Sequence, residues 1–327
     1  MRVLFIGDRL FMKFPDFSYF TERLAEAGAT VVSTEGMSDS RIVDEARDAA
    51  ALVVIGRKIT EEMIRSCRDC RLIMTLSVGY DVVDVSTATE RGIPVSNCPL
   101  YCTEEVAEHA LTLALTVSRK ITELHRHVCA GGWDYKQAVP IHSYRNLSYG
   151  IFGLGRIGRQ AARKAAALGM NVVAYDPYVD DDIFRLMDVK RLYDFDEFLK
   201  QSDIITIHAP LTDETWHMFN ADAFRLMKET GVIVNTARGP IIRTGDLEEA
   251  LENGTIAGAG IDVLETEPPT GKEHLFSLPT AVITPHIAWY SEESHRQNLQ
   301  DGMDELVRVL KGHRPRYIVN PQIYSRR

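Results

Sequence analysis

The sequence has 327 residues, of which 45% are hydrophobic and 25% are charged, and its formal net charge is −9. This length predicts two domains, each with its own buried core. The acidic balance argues against nucleic acid or an anionic membrane as a partner, and no apolar run approaches the roughly 18 residues that cross a bilayer. Five cysteines, an odd number in a large chain, favour free thiols and a cytoplasmic protein.

The first third of the chain alternates short apolar strands with helices. Strands are predicted at residues 3–6, 30–33, 52–55, 72–74 and 93–95, and helices at 17–27, 39–50, 60–67 and 83–91. This alternation is typical of a parallel sheet covered by helices on both faces. The loop at residues 76–81 follows the carboxyl end of a strand, which is where open α/β sheets bind ligands.

Cys67 and Cys70 form a C-x-x-C pattern, which occurs in zinc sites and in redox centres. No second pair and no H-x-x-x-H lies nearby to complete a set of four ligands. We interpret the pattern as the end of a surface helix before a strand, and we expect no metal site.

Pro99 marks a break, after which one long helix is predicted from residue 103 to about 128. Its apolar residues cover a broad surface, which favours burial on more than one side, as in a helix that bridges domains or subunits. Gly131 and Gly132 end this helix, and residues 134–145 are predicted to form an irregular arm.

The second half of the chain again alternates strands and helices. Strands are predicted at 149–152, 172–175, 204–208, 232–235, 257–261 and 281–284, and helices at 156–168, 195–201, 221–228 and 246–253. A last amphipathic helix at 291–310 follows this sheet, and we place it back on the first domain. The sequence therefore predicts an α/β protein with two doubly wound parallel sheets, one domain comprising 1–98 with 290–327 and the other 99–289.

Glycines 153, 155 and 158 form a G-x-G-x-x-G pattern between a predicted strand and a predicted helix. In a dinucleotide-binding turn, the first glycine permits the tight turn, the second lets backbone N–H groups approach a pyrophosphate, and the third lets the helix pack on the strand. Asp176 ends the next strand, where a carboxylate can bind a ribose diol. The alternative is an ordinary strand–turn–helix unit with incidental glycines.

The region after Asp176 indicates which dinucleotide is preferred. The carboxylate of Asp176 would repel a 2′-phosphate, three further aspartates occupy 180–182, and residues 177–184 contain no arginine or lysine. We therefore expect NAD(H) to be preferred over NADP(H).

Three polar residues, Arg238, Glu267 and His286, lie at or just after predicted strands of the second half. Successive strands of a parallel sheet end at the same edge, so these side chains can converge. Hydride transfer to a ketone needs an acid, a group that orients it, and a cation for a carboxylated substrate, and histidine, glutamate and arginine suit these tasks. The alternatives are an ion-pair role for Arg238, a solvated loop acid at Glu267 and a capping role for His286.

Four motifs in order give the chain a resemblance to a known family. They are GLGRIG at 153–158, VNTARG at 234–239, GIDVLETEP at 260–268 and TPH at 284–286. Together they resemble the D-isomer-specific 2-hydroxyacid dehydrogenases, and the resemblance covers essentially the whole chain. Residues 285–292 are similar to the branch that contains the C-terminal binding protein corepressors and their bacterial enzyme relatives.

The resemblance implies a Rossmann NAD-binding domain inserted in a discontinuous flavodoxin-like substrate domain, and a homodimer built on the long helix and the arm. His286 would be the proton donor, Glu267 its partner and Arg238 the substrate ligand. Backbone N–H groups of Val78 and Gly79 would hold the substrate carboxylate, and Trp289 would favour an apolar substrate side chain. The residues expected to contact the dinucleotide are Thr103, Gly153, Gly155, Arg156, Ile157, Gly158, Asp176, His208, Pro210, Thr215, Thr236, Ala237, Arg238, Asp262 and His286.

The leading hypothesis is an NAD-dependent oxidoreductase that interconverts a small 2-keto acid and a D-2-hydroxy acid. One alternative is an NAD(H)-sensing, corepressor-like binding protein with little turnover. Another is a dehydrogenase of the same fold that acts on phosphonate, formate or 3-phosphoglycerate. Two departures bear on substrate preference: Thr75 replaces an arginine of the corepressors, and Val82 replaces an asparagine found in many relatives.

Overall fold

Two units make up the fold, and each is built on a parallel sheet. A computed structural model of the chain describes residues 1–7 and 18–325. One unit consists of Met1–Cys102 with Ser291–Arg327, and the other consists of Thr103–Tyr290. Every strand pairing in both sheets is parallel, so the predicted fold class, two parallel-sheet α/β domains, is confirmed.

The first unit has a five-stranded sheet. Its strands are β1 (Arg2–Gly7), β2 (Thr30–Ser33), β3 (Ala49–Ile55), β4 (Ile73–Thr75) and β5 (Val95–Ser96), and its first four helices are α1 (Ser18–Ala25), α2 (Asp39–Ala46), α3 (Glu61–Ser66) and α4 (Val85–Glu90). The order β2-β1-β3-β4-β5 is the order of flavodoxin-like sheets. Residues of β1 and β3 such as Leu4 and Leu52 are fully buried, as expected for central strands with both faces covered.

The second unit has a seven-stranded sheet. Its strands are β6 (Ser148–Phe152), β7 (Asn171–Tyr175), β8 (Lys190–Arg191), β9 (Ile204–Ile207), β10 (Val232–Asn235), β11 (Gly258–Ile261) and β12 (Ala281–Ile283). Its helices are α5 (Thr103–Ser118), α6 (Ile121–Cys129), α7 (Arg156–Ala167), α8 (Asp181–Met187), α9 (Phe195–Gln201), α10 (Ala221–Leu226) and α11 (Thr244–Glu252). The order is β12-β11-β10-β9-β6-β7-β8, so the strand order reverses between β6 and β9. Rossmann folds bind their ligands at such a switch point.

The last helix, α12 (Glu292–Leu310), packs within the first unit. The Asn298 side chain donates a 2.9 Å hydrogen bond to the carbonyl of Leu76, directly after β4. Gly302 lies so close to Leu76 that a Cβ there would be 2.2 Å from its Cδ2. These contacts fix the start of the loop that carries Val78 and Gly79.

The prediction of one long helix at 103–128 is wrong, because two helices occupy this segment. Lys120 has a left-handed backbone (φ +51°) between α5 and α6. No residue of α6 is buried, although six residues of α5 are, so the predicted burial on several sides does not extend to the second helix within this chain. The sequence contains neither glycine nor proline at the break, and the left-handed residue there is a lysine, which carries no turn signal.

Smaller differences concern the end of one helix and two elements, α8 and β8, that the sequence did not predict. The predicted helix at 39–50 ends at Ala46, since the alanines that follow begin β3. Helix α8 and strand β8 were not predicted. The predicted start of the first helix, Phe17, lies outside the described residues. Of the helices at 18–325, none is both long enough and apolar enough to cross a membrane.

Candidate cofactor and active site

The turn after β6 is shaped by Gly153, which has φ +94°. A Cβ at this position would be 2.6 Å from the backbone nitrogen of Ala209, in the loop that follows β9. Only glycine allows both this backbone conformation and this close approach. The turn and the loop therefore meet at the point where the strand order reverses.

Gly155 and Gly158 have different surroundings. A Cβ on Gly158 would be 2.1 Å from the carbonyl oxygen of Gly153, whereas no atom lies within 4 Å of a Cβ on Gly155. Gly158 therefore lets α7 pack closely on the turn. Gly155 is exposed and leaves the N-terminal N–H groups of this twelve-residue helix open, which suits an anionic group such as a pyrophosphate.

This difference predicts that two alanine substitutions in one motif affect different properties, one the stability of the fold and the other the affinity for NADH. Gly158→Ala should lower the free energy of unfolding by about 1–3 kcal/mol, because the new methyl group overlaps backbone. Gly155→Ala should leave the melting temperature unchanged but weaken NADH binding at least about tenfold, because its methyl group would stand where backbone must approach the phosphates. Thermal melting and NADH fluorescence titration measure the two effects. Equal affinity for NADH in wild type and Gly155→Ala would contradict the prediction.

Asp176 follows β7, and its carboxylate is held by three backbone N–H groups. Oδ2 accepts a 2.8 Å bond from Leu154, while Oδ1 accepts bonds from Tyr178 (2.9 Å) and Val179 (3.2 Å). The bond from Leu154 joins the carboxylate to the glycine turn. The acid expected to bind the ribose is thus fixed beside the turn expected to bind the pyrophosphate.

Arg191, on β8, was not identified from the sequence. Its Nη2 donates a 3.0 Å bond to the carbonyl of Asp176, and its Nη1 bonds the Asp181 carboxylate at 2.6 Å. The guanidinium carbon lies 4.7 Å from the ring centre of Phe184 and 4.8 Å from that of Tyr193. A cation therefore adjoins the acid that is expected to bind the ribose, although no basic residue follows Asp176 closely in sequence.

Other residues expected to contact the dinucleotide lie after β9 and β10. The ring of His208 contacts Thr206 Oγ1 at 3.1 Å, and burial lowers the pKa of His208 to about 4, so its imidazole is neutral at pH 7. Thr215 Oγ1 donates a 2.8 Å bond to the carbonyl of Pro210. Thr236 is 9% exposed, and its buried Oγ1 has no hydrogen-bond partner among residues 1–7 and 18–325.

The remaining expected contacts are at helix starts and at the turn after β10. Thr103 begins α5, Arg156 and Ile157 begin α7, and the N–H of Ala237 donates a 3.0 Å bond to the side-chain oxygen of Asn235. The open helix start, the carboxylate beside it and the unpartnered Thr236 hydroxyl, which a polar ligand would satisfy, fit a dinucleotide.

His286 and Glu267 form a hydrogen-bonded pair. The distance from Nδ1 of His286 to Oε2 of Glu267 is 2.6 Å, and Oε1 of Glu267 accepts a 2.8 Å bond from the N–H of Leu264. Partial burial alone would raise the pKa of Glu267, but the bond to His286, the charges of His286 and Arg238 and the Leu264 bond outweigh it, so the net pKa lies below the ordinary range. An ionised Glu267 accepts from Nδ1–H, which leaves Nε2 as the atom that exchanges the proton.

Asp262, at the end of β11, holds the loop that carries His286. Its side chain is fully buried and accepts bonds from the N–H groups of Ile287 and Ala288, both 2.9 Å long. Its carbonyl accepts a 2.8 Å bond from the N–H of His286. His286 has φ +53°, a conformation that is uncommon outside glycine and persists where surrounding bonds determine it.

Arg238 follows β10 and lies on a turn packed against the Glu267 loop. Its Nη1 donates a 2.7 Å bond to the carbonyl of Ala237, and its own carbonyl accepts a 2.8 Å bond from Asn235. At Gly239, a Cβ would be 2.0 Å from the carbonyl carbon of Leu264. This contact brings together the loops of Arg238 and Glu267, which lie 29 residues apart in sequence.

Val78 and Gly79 lie in the loop after β4 of the first unit. The Ser77 hydroxyl donates a 2.6 Å bond to the carbonyl of Gly79, and the Asn97 side chain donates one of the same length to the carbonyl of Val78. Within the described ranges, no acceptor is recorded for the N–H groups of Val78 and Gly79. Two adjacent N–H groups without acceptors suit a carboxylate. Thr75, in contrast, is fully buried in β4.

A family model for the D-isomer specific 2-hydroxyacid dehydrogenase NAD binding domain matches residues 111–288. The chain belongs to this family. The matched range contains the glycine turn, Asp176, Arg238, Glu267 and His286.

The curated relatives of this chain carry different activities in their names. A D-3-phosphoglycerate dehydrogenase of Methanocaldococcus jannaschii is 36% identical over 298 residues, which are 91% of this chain and 56% of the relative. This chain therefore spans little more than half of that protein. A glyoxylate reductase of Thermofilum pendens is 35% identical over 294 residues, covering 88% of this chain and 86% of the relative.

Solved structures of similar proteins include both nicotinamide dinucleotides. A D-lactate dehydrogenase of Aquifex aeolicus, complexed with NAD and lactic acid, is 28% identical with a TM-score of 0.86 and covers 97% of this chain and 99% of its own. An acyclic imino acid reductase complexed with NADPH and D-Arg is 27% identical with the same TM-score, and covers 98% and 100% of the two chains.

Trp289 completes the set of expected site residues. Its indole N–H donates a 3.0 Å bond to the carbonyl of His286, and its ring packs against Tyr290 with 5.4 Å between ring centres. Sequence reasoning placed Asp262 only against the dinucleotide, and it missed Asn235, which shapes the Arg238 turn. The signal for both was a polar residue at a buried strand end, since such a residue must be hydrogen-bonded.

Proposed function

We propose that this protein catalyses the NAD-dependent interconversion of a small 2-keto acid and a D-2-hydroxy acid. The observation that carries the proposal is the arrangement of His286 bonded to Glu267, with Arg238 close enough for its charge to lower the Glu267 pKa. All three lie after strands β10 to β12 of the unit that contains the glycine turn. Reduction of a keto acid needs an acid, a carboxylate that orients this acid and a cation that binds the substrate carboxylate, and these three residues can supply them.

Arg238 would bind the carboxylate and the carbonyl oxygen of the substrate. Its guanidinium can form two parallel hydrogen bonds, which orient a planar 2-keto acid as well as neutralise it. The N–H groups of Val78 and Gly79 are proposed as further ligands of a substrate carboxylate. Trp289, fixed to the carbonyl of His286, would contact the substrate side chain and favour an apolar one.

His286 would donate its proton from Nε2 as negative charge develops on the carbonyl oxygen. Glu267, whose pKa is lowered, remains ionised at pH 7 and keeps the imidazole oriented through Nδ1. The nicotinamide supplies the hydride when the dinucleotide is bound. In the reverse direction, neutral His286 would accept the proton of the hydroxyl group.

NAD(H) is the proposed cofactor, in preference to NADP(H). The Asp176 carboxylate, fixed beside the glycine turn, would accept hydrogen bonds from the ribose diol and repel a 2′-phosphate. Arg191 reduces this repulsion, but its guanidinium is already paired with Asp181. We therefore expect higher kcat/KM with NADH than with NADPH, and the reverse ratio would contradict the proposed preference.

The test is a substrate panel followed at the nicotinamide absorbance. Purified protein and NADH are mixed with glyoxylate, hydroxypyruvate, pyruvate, 2-keto-4-methylthiobutyrate and 3-phosphohydroxypyruvate, and oxidation of NADH is expected with at least one of the first four. Turnover of 3-phosphohydroxypyruvate alone would favour the 3-phosphoglycerate alternative. Tight NADH binding without any turnover would favour a cofactor-sensing binding protein.

The proposed oligomer is a homodimer formed through α5, α6 and the arm that follows. Large apolar side chains are exposed there, including Ile121 (52%), Trp133 (90%) and Tyr135 (76%), and clustered exposed apolar residues are typical of interfaces. Light scattering should give about twice the chain mass of 36.8 kDa. A mass equal to one chain would contradict a dimer.

A further inference from the structure

A chain of hydrogen bonds joins helix α5 to the loop that carries His286. Nε2 of His109 lies 2.9 Å from Oγ1 of Thr284, and this hydroxyl donates a 2.6 Å bond to Oδ1 of Asp262. The same Asp262 carboxylate accepts the N–H groups of Ile287 and Ala288. Through these bonds, His109 is connected to residues that precede and residues that follow His286 in the sequence.

The direction of each bond follows from the chemistry of the groups. An ionised carboxylate only accepts, so the Thr284 hydroxyl must donate its hydrogen to Asp262. Its oxygen then accepts from His109, which requires a hydrogen on Nε2. The network therefore fixes the Nε2–H form of His109.

Because Asp262 is buried, its carboxylate depends on the hydrogen bonds of this network. The Asp262 side chain has no exposed surface, and that of His109 is 23% exposed. His109 Nε2 is 3.6 Å from Asp262 Oδ1, and across the described part of the chain no other basic group lies within ion-pair distance of this carboxylate. Burying a carboxylate costs free energy that its hydrogen bonds offset, and loss of one bond leaves part of this cost uncompensated. The position of Asp262 therefore depends on its bond from Thr284, which His109 holds in place.

We propose that His109 is a positioning residue for the proton donor His286, acting through Thr284 and Asp262. The inference rests on the proposed function for its kinetic consequence but not for its structural one. His109 holds Thr284, Thr284 and the loop N–H groups share the Asp262 carboxylate, and the loop keeps His286 in its left-handed conformation against Glu267. Helix α5 thereby controls the geometry of proton transfer without contacting the reacting atoms.

The kinetic test compares His109→Leu, which removes the donor, with His109→Gln, whose amide can still donate to Thr284. His109→Leu should lower kcat on an accepted keto acid about tenfold, because a small displacement of a catalytic group costs this much or more. NADH affinity and keto-acid KM should change less than about twofold, and His109→Gln should restore most of kcat. Thr284→Val should show the same loss as His109→Leu, and the double variant should lose no more than Thr284→Val alone, since both act in one network.

An activity-independent test uses histidine-labelled protein and nitrogen NMR. The His286 signal is assigned by its loss in His286→Gln, and solvent exchange of its Nδ1 proton is measured. Exchange should be at least about fivefold faster in His109→Leu and Thr284→Val than in wild type, and close to wild type in His109→Gln.

The two tests separate failure of this inference from failure of the proposed function. Faster Nδ1 exchange in His109→Leu, in a protein that reduces no keto acid, would support the inference and overturn the proposed function. Unchanged exchange in His109→Leu would overturn the inference, whatever happens to kcat or to the melting temperature.

Discussion

Replacing His286 with alanine should lower kcat for keto-acid reduction by about 10²–10⁴-fold, the range typical of a lost general acid. The substitution removes the imidazole and any contact that it makes with the dinucleotide, but it leaves the Asp262 bonds to the neighbouring N–H groups in place, so NADH affinity should fall far less than kcat. Steady-state kinetics and NADH titration on the same preparation separate the two effects. Full kcat in the variant would show that another group donates the proton.

The matched control is His274→Ala. His274 also pairs with a glutamate, Glu252, at 2.5 Å from Nε2 to Oε1, and its side chain is half exposed. His274 is not part of the candidate site, so its loss should leave kcat and KM unchanged. A loss of kcat in both variants would point to a general effect of removing a paired histidine.

Replacing Arg238 with glutamine should lower kcat/KM for the keto acid by about 10²–10³-fold, the cost typical of losing one well-placed donor to a developing oxyanion. Both parameters should change: KM rises because the carboxylate loses its cation, and kcat falls because the carbonyl oxygen loses a donor. Arg238→Lys should recover only part of the loss, since a lysine keeps the charge but not the two-pronged geometry.

Arg225→Gln is the control for charge removal in the same unit. Arg225 is an exposed residue of α10 that pairs with Asp222, and its loss should leave kcat/KM unchanged. If Arg238→Gln kept the wild-type kcat/KM, or lost it only through weaker NADH binding, Arg238 would not be the substrate ligand.

Most of both sheets could be predicted because apolar runs and their spacing mark strands with two covered faces. Strands β2 and β10 match their predicted ranges, and the others differ by a few residues at the ends. Helix α8 was missed because its first turn is a run of aspartates, which was interpreted only as a charge cluster. Strand β8 has two residues, too few for any periodicity.

The sequence does not decide between catalytic and structural roles for Arg238, Glu267 and His286, because the contacts among these side chains depend on loop conformations and not on strands. The contact of Gly239 with Leu264 carries no sequence signal beyond a glycine. The same holds for the network of His109, Thr284 and Asp262, which joins residues up to 175 positions apart. Hydrogen-bond partners of this kind are set by tertiary packing, which periodicity does not encode.

The guanidinium of Arg191 has a consequence for the evolution of cofactor use. It lies within 5 Å of the centres of two aromatic rings, with one nitrogen on the backbone of Asp176 and another on Asp181. A lineage that exchanged Asp176 for a small neutral residue would remove the carboxylate that repels a 2′-phosphate and would keep the nearby arginine, which is paired with Asp181, so no arginine would have to be acquired. Discrimination between the two dinucleotides would then depend on the Asp176 side chain, next to an arginine that is held in place by other contacts.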